Sequence, residues 1–146
     1  MDCEALRRYE RYWRANRSIE QRLAAMKAAE VNISPRPGDG SQRTGPHDPL
    51  CAVDRRMDFG AAHRAEYLAN AAVMQAVDEA ICAMDDPLER EVLRLRYTDL
   101  RYGQQMTWPQ VRQALYGGCK VSERTVYALH DRALRHYAAK EPARGA

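Results

Sequence analysis

The chain has 146 residues, of which 45% are apolar and 29% charged, with a net charge of +3. That length and apolar share suit one folded domain with arms, and a net charge this small does not by itself point to nucleic acid. Cys3, Cys51, Cys82 and Cys119 lie far apart and form no Cys-x-x-Cys or Cys/His spacing, which argues against zinc, and no apolar run is long enough to span a membrane.

Eight of the eleven aromatic residues are Tyr and one is Phe. The core must therefore come mainly from Leu, Val, Ile, Met and Ala, and the expected fold class is all-α. Scattered cysteines without a signal peptide read as reduced thiols in a cytoplasm.

Residues 1–31 read as an N-terminal amphipathic helix. Tyr9, Tyr12, Asn16, Ile19, Leu23 and Met26 are spaced three and four apart alternately, which is a heptad seam. A single Asn on such a seam often sets the register of a coiled-coil dimer, so a homodimer is one use of the stripe. Packing on its own domain is the other, and three heptads are short for a coiled coil. Residues 32–60 hold four of the seven prolines and four of the eight glycines. Proline removes helical hydrogen bonds and glycine raises chain entropy, so this stretch reads as a linker.

From residue 61 a helical period resumes, and 61–140 reads as a helical domain of about four helices, with 141–146 as a tail. Tyr67, Met74, Val77, Ile81 and Met84 form the apolar stripe of its first helix. In "DDPLEREVLRLRY", Asp86 suits an N-cap and Pro87 the first helical position, with Glu89 placed to complete a capping box. Leu88, Val92, Leu93 and Leu95 are expected to turn inward. "TWPQVRQALYGG" is a second short helix, capped by Thr107 with Gln110 and stopped by Gly117 and Gly118. Ser122 caps the last helix, whose inner face is Val126, Leu129, Ala133, Leu134 and Tyr137.

Charge singles out that last helix. Residues 101–146 carry eight basic and three acidic groups, whereas residues 61–100 carry four and eight. Two capped helices around a glycine-containing turn, with basic and polar groups facing out from the second, fit a helix-turn-helix. In that motif the first residues of the second helix meet base edges in the major groove. The candidate DNA-binding residues are Thr107, Lys120, Ser122, Glu123, Arg124, Thr125, Tyr127, Ala128 and Arg132. Arg124 is the candidate for a base, Lys120 and Arg132 for phosphate, and Tyr127 for either DNA or the supporting helix. There is no Gly-rich phosphate loop and no paired catalytic carboxylates, so neither an enzyme nor a cofactor or metal is expected.

"PLEREVLRLRY", then "TWPQV", then "VSERTVYALHDRALRHYA" resembles region 4 of sigma-70-type factors and is similar to phage transcriptional regulators of the ArpU/RinA type. The resemblance covers about residues 87–138. It implies a DNA-binding transcription regulator of a phage or prophage, acting on double-stranded DNA beside RNA polymerase in the bacterial host cytoplasm. Alternatives are a small terminase-like packaging protein and an interaction module that holds polymerase or a sigma factor without reading DNA. Two departures stand out. The stretch from Thr107 to Ser122 is about four residues longer than in the family, and Glu123, Thr125, Tyr127 and Ala128 stand where charges are common. The fold carries over through the resemblance; the operator sequence does not.

Overall fold

The computed structural model describes residues 3–31 and 49–140, and among them every regular element is helical. The elements are α1 (Glu4–Arg7), α2 (Tyr9–Val31), α3 (Pro49–Cys82), α4 (Pro87–Leu93), a π-helical turn (Arg94–Thr98), α5 (Trp108–Tyr116) and α6 (Glu123–Lys140). None of these helices is long and apolar enough to cross a membrane.

Two compact units divide the described residues. One comprises residues 15–31 and 49–69, an antiparallel hairpin of the second part of α2 and the first part of α3. Each step up α2 is a step down α3: Asn16 donates to the Tyr67 carbonyl at 3.1 Å, Glu20 accepts from the Tyr67 hydroxyl at 2.5 Å, the Arg22 guanidinium lies 4.5 Å from the Phe59 ring centre, and Glu30 accepts from Arg56 at 2.8 Å. The heptad seam of α2 is thus used inside the chain. Asn16 and Ile19 are buried, Leu23 and Met26 half-buried. Tyr9, which belongs to the other unit, is buried and donates to Asp78 at 3.2 Å. Tyr12 is half-buried. In this structure Asn16 meets a helix of its own chain, because a seam residue needs only a facing helix. A helix on the same chain presents itself at far higher effective concentration than one on another molecule.

The linker expected at 32–60 is corrected over its last twelve residues. Helix α3 runs unbroken from Pro49 through residue 60 and past the expected boundary at 61. Pro49 is the first residue of α3, where the N–H that proline lacks would have no helical partner in any case. Gly60 is the lone helix-weakening residue after it, and Leu23 covers it: a Cβ there would stand 3.8 Å from Leu23 Cδ2. The high Pro and Gly content of the window comes from residues 32–48, which lie outside the described residues, as does the tail 141–146.

The second unit comprises residues 3–14 and 70–140. Its core joins Leu6 and Tyr9 to Val77, Ile81, Met84, Val92, Leu93, Leu95, Tyr97, Val111, Val126, Leu129, Ala133 and Tyr137. The N-terminal segment is therefore not a separate arm, since Leu6 is wholly buried in this cluster. Helices α4, α5 and α6 pack on one another. Asp86 caps α4 by accepting from the Leu88 amide at 2.9 Å, a bond worth about 1 kcal/mol. Glu89 does not complete the expected capping box, and Leu88 turns outward, 45% exposed. After Leu93 the helix widens into a π-turn that closes with the Asp99 amide on the Arg94 carbonyl at 2.8 Å.

Candidate nucleic-acid interface

Helix α5 begins at an N-cap, Thr107, whose amide donates to the Gln110 side chain at 2.9 Å. It ends at Gly117, where φ is +57°. A side chain there would be strained, which is why glycine stops this helix. The chain then needs only residues 117–122 to reach α6. Ser122 opens α6, its hydroxyl 3.4 Å from the Thr125 amide and 3.1 Å from the Thr125 hydroxyl. The inner face of α6 is as its spacing requires: Val126, Leu129, Ala133 and Tyr137 are buried and Leu134 is half-buried.

An aromatic cluster fixes the angle at which α5 meets α6. The Trp108 ring stands edge-on to Tyr127, centres 5.1 Å apart, and edge-on to His130 at 4.7 Å. Such edge-to-face pairs contribute about 0.5–1.5 kcal/mol beyond their buried area. Beneath them His130 Nε2 meets the Tyr97 hydroxyl at 2.8 Å. Burial lowers the pKa of His130, with the nearby Asp131 opposing that shift. The Arg96 guanidinium lies over the Trp108 ring at 4.7 Å and also donates to the Met106 carbonyl. The sequence carries no signal of this cluster, because Arg96, Tyr97, Trp108 and His130 share no common periodicity.

The candidate residues divide into two groups. Lys120, Glu123, Arg124 and Ala128 are exposed on the turn and the first two turns of α6, and Lys120, Glu123 and Arg124 make no ion pair among the described residues. Thr107, Ser122 and Thr125 are exposed as well, with their polar groups partly committed to caps. Tyr127 is 41% exposed, although its ring packs against Trp108. Half-buried Arg112 on α5 is a further cation without an ion pair among the described residues, and its lone place in "PQVRQAL" gives no signal.

Arg132 is the exception. Its Nε donates at 2.8 Å to Glu89, a carboxylate only 2% exposed. His136 Nδ1 meets the other oxygen of Glu89 at 2.6 Å, and Asp86 lies 3.8 Å from the Arg132 guanidinium. One helical turn on, Lys140 reaches the Ala83 carbonyl at 2.7 Å and Asp85 at 3.0 Å. The spacing 132, 136, 140 is one stripe of a helix, and this stripe clamps α6 to the start of α4. The phosphate role expected for Arg132 is therefore corrected: its guanidinium answers a buried carboxylate, which is costly to leave unpaired.

Comparison with known protein families, curated sequences and solved structures finds no match to this chain. The site is therefore read from its own geometry. It comprises a capped short helix, a tight turn and a second helix. The first turns of that second helix project unpaired charge, while Arg132, His136 and Lys140 further along tie it to the rest of the fold.

Proposed function

We propose that the protein is a DNA-binding transcription regulator of phage or prophage type, with α5 and α6 as a helix-turn-helix and the start of α6 as the reading element. The observation that carries this is how the basic side chains of α6 are used: those of the 132, 136, 140 stripe turn to the chain, and the one in the first turn does not. Arg132, His136 and Lys140 face carboxylates or carbonyls of the chain, whereas Arg124, with Lys120 before it, projects without an internal partner. A guanidinium at that place is free to make two hydrogen bonds to guanine O6 and N7. Ser122 and Thr125 lie beside it, and Ala128 is small enough to admit a thymine methyl. The resemblance of residues 87–138 to sigma-70 region 4 supplies the transcriptional part of the reading, with RNA polymerase as a partner.

Selection of bound duplexes from a random DNA library tests it. Enrichment of one sequence by the full chain, lost in Arg124→Ala, supports the proposal. No enrichment at low salt overturns it.

A further inference from the structure

The hairpin of α2 and α3 leaves an open groove of about 370 Å³, lined by Ile19, Glu20, Leu23, Gly60, Arg64 and Leu68 among others. Beside it runs an apolar stripe on the outer side of α3. Leu50, Met57 and Leu68 are 67%, 65% and 54% exposed, and their spacing of 7 and 11 residues puts them on one face of the helix. Exposed Ala61 and Ala65 lie between them. Two helices can bury only the seam between them, so a hairpin of this length keeps such a face open unless a further helix covers it.

The occupant is constrained. The rest of the chain is too polar: Ile33 is the single large apolar residue in 32–48, and 141–146 has none. The surface is also complementary to itself. Knobs (Met57, Leu68) and a hollow at Gly60 lie on the same helix. Arg64 has no ion-pair partner among the described residues, while exposed Glu20 lines the same groove. A two-fold axis uses one patch twice, so a cation and a carboxylate on that patch make two reciprocal pairs. The three large side chains expose on the order of 350 Å² of apolar area, close to half of what one partner gives a standard interface. The alanines and the flanking polar rim can supply the rest.

We infer that this face is a homodimer interface, on which the hairpins of two copies of the chain pair as a four-helix bundle. The seam of α2 stays inside each copy, and α3 presents the contact. The interface does not depend on whether α6 reads DNA.

Sedimentation equilibrium of the full chain at about 10–100 µM tests it. The expected result is a dimer mass, reduced to a monomer by Leu68→Glu and by Met57→Glu. Circular dichroism should be unchanged, because both side chains are more than half exposed. Arg64→Glu and Glu20→Arg should each weaken the dimer at least several-fold, and the double variant should restore it. A monomeric full chain at 100 µM overturns the inference. So does a dimer that survives Leu68→Glu with helicity intact, or a double charge reversal that is no better than either single one.

Discussion

Arg124 and Arg132 stand two turns apart on one helix, and the structure gives their removal opposite outcomes. Arg132→Ala takes one of two close partners from Glu89, which is 2% exposed. Removing a partner from a fully buried pair costs about 3–5 kcal/mol. Here the Arg132 side chain is 53% exposed and His136 still holds the second oxygen at 2.6 Å. The expected loss is therefore smaller, about 1–3 kcal/mol. For a unit of this size each kcal/mol lowers Tm by roughly 4–8 °C. Arg124→Ala removes an exposed side chain with no internal ion pair, so its stability change should stay within about 0.5 kcal/mol. In DNA titrations, performed well below both Tm values, the order reverses. Arg124→Ala should lose about 1–3 kcal/mol of discrimination between a selected and a scrambled site, while Arg132→Ala should keep the discrimination of the parent chain. Thermal melts and paired titrations on the same preparations decide the matter. An Arg132→Ala protein with unchanged Tm and weakened DNA binding would refute the assignment of its guanidinium to Glu89.

Other outcomes follow from the same geometry. A fragment of residues 61–146 lacks Leu6 and Tyr9 and opens the cluster they complete, so it should melt at least 10 °C below the full chain or without a cooperative transition; a melt like the parent's would contradict the core described above. His130 has a folded pKa below its unfolded value, so the unfolded chain binds the extra proton, and the contribution of His130 to stability, complete above about pH 6.5, should fall as pH drops below that value. Denaturant titrations at pH 7.5 and 5.5 should show a smaller loss in His130→Asn than in the parent; an equal loss would show that His130 takes no part in the pH dependence. Gly117→Ala forces a Cβ into φ +57° and should cost about 1–2 kcal/mol, read as a lower Tm, whereas Gly118→Ala, free of that backbone constraint, should cost less.

How much of this was legible in the sequence depends on the range of the interactions. Caps and stops act within four residues, so Asp86 and Pro87, Thr107 and Gln110, Gly117 and Ser122 marked the bounds of α4, α5 and α6. The inner face of α6 was equally readable, because burial imposes its 3.6-residue period on Val126, Leu129, Ala133 and Tyr137. What failed needed a partner far along the chain. Glu89 fits a capping box by spacing alone, yet it is drawn inside by Arg132 and His136, more than forty residues away. The α2 stripe declares that it wants a facing helix and cannot say whose. Residues 49–60 read as linker because the prolines and glycines before them dominate the composition of the window, although "LCAVDRRMDF" itself contains neither.

If α6 reads DNA as proposed, the clamp of α6 onto α4 also limits how the protein would search a genome. A basic C-terminal region invites the picture of a chain held to DNA by many phosphates. With Arg132 and Lys140 already facing Glu89 and Asp85, few cations on this surface are left to displace condensed counterions. A contact resting on Lys120, Arg124 and Arg112 neutralises about three phosphates, and the logarithm of affinity should fall with that of salt at a slope near −3 rather than the −6 or steeper of heavily basic binders. A protein binding in that way would leave random DNA quickly, slide only short distances, and depend on contacts other than phosphate to stay.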